Sequence, residues 1–135
     1  MWLRKELLCL RREKGYKALF MEGQEWAVDE ALMVGCDGMI SGMGALCSKI
    51  MVDIAKAADA KDWDKANELQ NLFIEIFHGV YGIGLTNIWN GQKYALMKLG
   101  LCASPFTIAQ EMSSLTDEVK KRIDAALENL KEELD

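Results

Sequence analysis

Residues Tyr16–Ser48, YKALFMEGQEWAVDEALMVGCDGMISGMGALCS, decide the fold. Lys17 to Met21 is a short apolar run with the character of a strand, and Gly23 closes it. Ala27 to Val34 is rich in helix formers, and Gly38 to Ser41 is a second short run that ends in Gly42 and Gly44. Strand, turn, helix and strand within about thirty residues is the size of one βαβ unit, whose parallel strands need a crossover on the face of the sheet. One such unit cannot bury both faces of its strands. It either packs on the helices that follow or belongs to a larger α/β fold.

Upstream, Trp2 to Lys14 predicts a helix, with Leu3, Leu7 and Leu10 as its apolar face and Gly15 placed to close it. The same stretch carries Arg4, Lys5, Arg11, Arg12 and Lys14, followed by Lys17, against Glu6 and Glu13, which reads as a solvated basic helix side. The crossover helix is short, with Val28, Leu32 and Ala31 as its apolar face and Gly35 at its end.

Downstream, every periodic segment predicts helix. Leu46, Ile50, Met51, Ile54 and Ala58 form one stripe. Asp62 is placed to cap the next helix, where Ala66, Leu69, Phe73, Ile76 and Phe77 recur every three or four residues. Gly79, Gly82 and Gly84 are expected to break that helix. A further helix spans about Thr86 to Leu99, stopped by Gly100, and the single proline, Pro105, falls in the loop after it. The last segment is the clearest: Thr116 as N-cap, then Val119, Ile123, Leu127, Leu130 and Leu134 along one face. Asp117 with Lys121 and Glu118 with Arg122 are in the order that favours i,i+4 pairing.

The chain has 135 residues, of which 50% are apolar and 27% charged, so one ordinary globular core is expected. A net charge of −5 argues against nucleic acid as partner, because phosphate binding needs a clustered basic surface. Cys9, Cys36, Cys47 and Cys102 form no C-x-x-C and have one histidine, His78, to help them. Neither a zinc site nor a disulfide framework is suggested, and the thiols read as small core residues in a reducing compartment. No segment reaches the roughly 18 apolar residues of a membrane span, and the N-terminus lacks a signal-peptide pattern, so the expectation is a cytoplasmic protein without membrane contact.

Three segments carry a family resemblance: GCDGMISGMGAL at Gly35–Leu46, KDWDKANELQ at Lys61–Gln70 and GQKYALMKLGL at Gly91–Leu101. In spacing and order they resemble the C-terminal portion of the dihydrodipicolinate synthase and N-acetylneuraminate lyase family, pyruvate-dependent lyases built on a (β/α)8 TIM barrel with a C-terminal helical extension. The first segment looks like the last barrel strand, with its G-x-D-G-x-I-S pattern. The resemblance implies an α/β, mostly helical fold made of the last two βα units of the barrel plus the helical extension. Residues 1–45 would be the partial-barrel segment, and residues 46–135 the helical region.

On this resemblance Phe20 to Gly23 matches strand seven, Cys36 to Ser41 strand eight, and the segment before Gly15 helix six. The family's Schiff-base lysine lies on strand six and its proton-shuttling tyrosine on strand five, both upstream of Met1. No catalytic residue is therefore expected here, and Lys49, Lys56 and Lys93 read as solvated helix residues. Trp2 to Lys14 already looks like an established barrel helix, which points to a break in a longer gene. A barrel takes about 250 residues, so this chain would supply two strands of eight.

What remains by resemblance is part of a pocket wall. Gly23 matches a strand-seven glycine whose backbone approaches the Schiff base, although a turn glycine reads equally well. Ile40 matches a strand-eight lining residue, or is simply a buried strand isoleucine. Glu25 stands where sialic acid lyases hold the sugar's hydroxyls with an acid, but Trp26 follows it in place of a second acid, and Gly42 replaces their serine. The polyol-binding set is incomplete, and Glu25 reads equally well as an acid that favours the N-terminus of the following helix. Gly42-Met43-Gly44 reads as an anion-binding loop or as a tight turn.

Two functions follow. The chain is a C-terminal fragment or truncated paralogue of a pyruvate-dependent aldolase or lyase, inactive alone and binding a 2-oxo acid such as pyruvate only when the missing barrel half completes it. Alternatively, it is a non-catalytic helical interaction module derived from that family. No metal or cofactor is expected, and homo-oligomerisation through the helices is.

Overall fold

The computed structural model describes residues 2–134; the side chains of residues 109, 110 and 132–134 lie outside that description. The elements in chain order are α1 (Trp2–Lys14), β1 (Met21–Glu22), a 3-10 turn (Glu25–Ala27), α2 (Val28–Met33), β2 (Gly38–Met39), α3 (Gly44–Asp59), α4 (Trp63–Tyr81), α5 (Ile88–Lys98), α6 (Ala109–Met112) and α7 (Asp117–Leu134). They form two compact units. One holds the chain through Gly42 together with Ile50–Gln70, and the other holds Met43–Lys49 and the chain from Asn71 onward.

In the first unit β1 and β2 pair in parallel, Met21 opposite Gly38 and Glu22 opposite Met39, with α2 as the crossover; the order strand, helix, strand is the predicted one, but β1 begins only at the last residue of the Lys17–Met21 run. The Ile40 N–H donates to the Glu22 carbonyl at 2.8 Å and continues the ladder. Val28 and Ala31 bury the inner face of α2, while Leu32 is half-buried. Ile50, Met51, Ile54 and Ala57 are buried along α3. Ala57 takes the place expected for Ala58, because positions three and four after Ile54 both lie on its face and both are alanine. Asp62 caps α4, its carboxylate accepting the Lys65 N–H at 3.1 Å.

The first helix corrects the sequence reading. It spans the expected residues and is closed by Gly15 at φ +66°, but it buries no residue, and Leu3, Leu7 and Leu10 are exposed. The half-buried positions are Arg4, Leu8 and Arg11. Arg4 forms an ion pair with Glu22 of β1. Arg11 pairs with Asp37, donates to the carbonyls of Ala18 at 3.1 Å and Gly35 at 3.2 Å, and lies over the Phe20 ring at 5.1 Å. These two arginines are joints between helix and strands, not part of a solvated basic side. Cys9 is likewise exposed, not a core thiol, and of the four free cysteines only Cys47 is buried.

The second unit is built on helix contacts. Phe73, Ile76, Phe77, Val80 and Tyr81 bury one side of α4, with Phe77 and Tyr81 ring centroids 4.7 Å apart. Gly79 does not break this helix, which ends at Tyr81, before Gly82 at φ +80°. Gly79 is small for a packing reason: a Cβ there would collide with the Ala126 Cβ of α7. Gly91 of α5 is similar, since a Cβ there would sit 2.6 Å from the Val80 carbonyl oxygen.

Along α7, Ile123, Leu127 and Leu130 are buried as their spacing predicts, Ala126 joins them and Val119 is half-buried; the Leu134 side chain lies outside the described ones. Thr116 caps the helix by accepting the Val119 N–H at 3.3 Å. The expected i,i+4 pairs give way to others. Asp117 pairs with Lys120 at 3.0 Å, and Arg122 turns inward to the Gly79 carbonyl at 2.9 Å and Asn87 Oδ1 at 3.1 Å. A half-buried guanidinium finds stronger partners there than an exposed carboxylate on its own helix.

Candidate functional site

Parallel pairing puts the C-terminal ends of β1 and β2 on one side, and the candidate site is built there from the segments that leave them. Glu22, the last residue of β1, is 9% exposed. Besides its ion pair with Arg4, its Oε1 accepts the N–H groups of Gly23 and Gln24, each at 2.8 Å. That carboxylate fixes the turn by which the chain leaves the strand.

Glu25 follows, 7% exposed, and accepts a hydrogen bond from the Ser41 hydroxyl just beyond β2. Gly42 lies beside the same carboxylate: an added Cβ would stand 3.7 Å from Glu25 Oε1, ordinary van der Waals contact. The structure therefore brings Glu25, Ser41 and Gly42 together across the two strand ends.

Gly23 and Ile40 stand differently. No atom lies within 4 Å of the position a Gly23 Cβ would take, so any close approach there is to something other than the described residues of this chain. Ile40 is 70% exposed and is not the buried strand isoleucine of the plainer reading. With two strands paired, nothing in the sheet covers it. Gly42 does not adopt the left-handed backbone of a glycine turn; the left-handed glycines are Gly15, Gly35, Gly82 and Gly100.

A buried amide from α4 supports this constellation. Gln70, 2% exposed, donates through Nε2 to the Glu25 carbonyl at 3.0 Å and accepts through Oε1 the N–H groups of Val28 at 2.9 Å and Asp29 at 3.3 Å. One turn earlier, Asn67 donates to the buried Asp29 carboxylate at 3.1 Å. Two N–H groups of the first turn of α2 are thus met by a side chain from α4, where Ala27 at the N-cap position has no polar side chain to offer, and a third, that of Glu30, is met by the Asp29 carboxylate at 2.8 Å. Gln70, Asn67, Asp29, Glu22 and Ser41 escape a sequence reading. The one available signal is that Gln70 sits on the same face as Ala66, Leu69 and Phe73, where a polar side chain needs a partner.

Asp37 lies just before β2. The Phe20 N–H donated to its carboxylate at 2.8 Å, and then the Arg11 guanidinium, hold its pKa below the ordinary value near 3.8. Its neighbour Cys36 is pushed the other way, chiefly by burial, so the thiol is kept protonated.

Lys49 and Lys93 are exposed, and Lys56 pairs with Asp53 at 2.8 Å. In the second unit Lys98 meets Asp124 at 3.2 Å, and that bond, followed by the Tyr94 and Asp124 charges, raises its pKa. A Schiff-base amine needs the reverse shift. Among the described residues no group of three or more His, Cys, Asp or Glu is arranged to hold a metal ion, and no helix is long and apolar enough to cross a membrane. What the strand ends offer is a shielded carboxylate that orients a hydroxyl, beside an exposed glycine and an uncovered isoleucine.

The model of the dihydrodipicolinate synthetase family matches residues 5–130. Among solved structures, the chain is similar to dihydrodipicolinate synthase from the commensal bacterium Bacteroides thetaiotaomicron, with 24% identity and a TM-score of 0.68. The match covers 82% of this chain and 37% of that one, so the chain spans little more than a third of the enzyme's length. The fold is accordingly a partial barrel: two βα units followed by the helical extension.

Proposed function

The chain belongs to the dihydrodipicolinate synthetase family, and we propose that it is the C-terminal portion, or a truncated paralogue, of a pyruvate-dependent lyase or aldolase. The observation that carries this is a family match over residues 5–130 in a chain whose described residues form a two-stranded sheet. On this reading the reactive lysine and the proton-shuttling tyrosine belong to strands supplied from outside these residues, and the chain alone forms no Schiff base. The exposed lysines and the raised pKa of Lys98 support that.

Gly23, Glu25, Ile40 and Gly42 then form one side of a 2-oxo acid pocket that is finished only by the remaining strands. The open space at Gly23 and the exposure of Ile40 suit a wall whose opposite side is elsewhere. Glu25 would act through Ser41, offering a positioned hydroxyl to the substrate; with Trp26 after it and Gly42 beside it, a polyol chain is poorly served. We also place the protein in the cytoplasm, in a homo-oligomer whose contacts come from the helices, with no cofactor.

Borohydride trapping tests the reading. The chain incubated with pyruvate and reduced is expected to keep its mass, and the upstream part of a family enzyme, added to it, is expected to gain one stoichiometric adduct. An adduct on this chain alone would overturn the proposal.

A further inference from the structure

Gln70 does two different things at the turn that carries Glu25. Its Oε1 accepts the Val28 and Asp29 N–H groups, which open α2, while its Nε2 donates at 3.0 Å to the Glu25 carbonyl, which lies before the helix begins. Two N–H groups on one side and a carbonyl on the other fix which end of the amide carries the oxygen. A cap for α2 accounts for the oxygen alone.

Capping by itself is served at least as well by a carboxylate, which accepts the same N–H groups and adds negative charge at a helix N-terminus. A carboxylate cannot donate to the Glu25 carbonyl. Gln70 is 2% exposed, so water is no substitute for that bond, and a carbonyl left without its donor there is costly. The amide is therefore matched to the Glu25 peptide as well as to the helix.

That peptide is not held in place by α2, because Ala27, at φ −145° and ψ 36°, breaks the helical path between them. Upstream, the turn is anchored by Glu22, whose Oε1 accepts the Gly23 and Gln24 N–H groups. Between these two anchors the Glu25 carboxylate reaches across to the Ser41 hydroxyl at the other strand end. Its rotamer is set by its own backbone, so a rotation of the Glu25 peptide carries the carboxylate away from Ser41.

We propose that Gln70 is a positioning residue: through the Glu25 carbonyl it aims the Glu25 carboxylate at Ser41, and so sets the hydroxyl that the pocket wall offers to a 2-oxo acid. The 2-oxo acid rests on the function proposed above; the aiming of Glu25 rests on the geometry of these three residues.

Gln70→Glu separates the two roles, since it keeps the acceptor and removes the donor. In the full chain made with isotope-labelled glutamate, the Glu25 carboxyl resonance is identified by its disappearance in Glu25→Gln. The shift it undergoes in Ser41→Ala marks loss of the hydroxyl bond. Gln70→Glu is expected to move that resonance by at least half the Ser41→Ala shift, with circular dichroism and the urea midpoint unchanged. A resonance left at its wild-type position overturns the proposal and makes Gln70 a helix cap only. If Gln70→Glu unfolds the chain, Gln70→Met decides: of similar length but neither donor nor acceptor, it must move the Glu25 resonance too, and a wild-type position there is equally fatal.

The second readout adds the upstream part of a family enzyme. The pyruvate concentration that half-saturates borohydride trapping is expected to rise at least fivefold in Gln70→Glu, with the final adduct yield unchanged. No adduct with the wild-type chain would sink the proposed function and leave the Glu25 resonance to decide the positioning. A moved resonance with half-saturation unchanged would overturn the link from Gln70 to the 2-oxo acid while the proposed function stands.

Discussion

Helices α1 and α7 carry the same kind of apolar stripe, and the two stripes end in opposite environments. On α7, Ile123, Leu127 and Leu130 are buried among α4 and α5, and two glycines are spent on letting those helices close up. On α1, Leu3, Leu7 and Leu10 stand in the open, and two arginines attach the helix to its strands instead. Periodicity reveals which face of a helix is apolar. Whether the surface that covers it belongs to the same polypeptide is a property of the whole fold, and no local pattern encodes it.

The contrast is broken most directly from the α7 side. Leu130→Ala should cost about 2–5 kcal/mol in urea unfolding, because a fully buried leucine leaves a cavity behind it. A loss under about 0.5 kcal/mol, the range of surface substitutions, would mean that the second unit is no better packed than α1.

Gly79→Ala comes next, at about 1–3 kcal/mol, since the added methyl group must push α4 away from Ala126. Ala126→Gly in the same chain should recover part of that loss. Absence of recovery would place the strain elsewhere than between these two residues.

Leu7→Ala sharpens the comparison from the other side. In the isolated chain it should change stability by no more than about 0.5 kcal/mol, against the several lost at Leu130.

The smallest effect is one of slope. The Asp37 pKa is lowered in the folded state, so the unfolded chain binds more protons near and below pH 3.8. Stability from this group is full above that pH and falls as acid takes the pH down through the folded value. Urea midpoints measured from pH 5 downward should therefore fall less steeply for Asp37→Asn than for wild type; equal slopes would remove Arg11 and Phe20 as the anchors of that carboxylate.

The parallel pair, the helix order, and the caps Asp62 and Thr116 were all legible, because each rests on residues close in sequence. The contacts that organise the strand ends were not. Arg4 and Arg11 look like any surface arginines until Glu22 and Asp37 are brought up to them, and Gln70 looks like a blemish in the stripe of α4. Gly79 reads as a helix breaker because propensity sees its missing side chain and not the Ala126 that needs the room. At the candidate site, Glu25 and Gly42 could be named only through the family pattern. Ser41, which joins them, was marked only as the last residue of the G-x-D-G-x-I-S pattern, with nothing in the sequence to aim it at Glu25.

The Gln70 side chain has a consequence in time as well as in space. The Val28 and Asp29 amide protons are bound by a side chain 42 and 41 positions away, not by a carbonyl of their own helix. Their exchange with deuterium therefore reports how often the first turn of α2 and the Gln70 side chain part, so two amides near the start of a six-residue helix keep time with its hold on a nineteen-residue one.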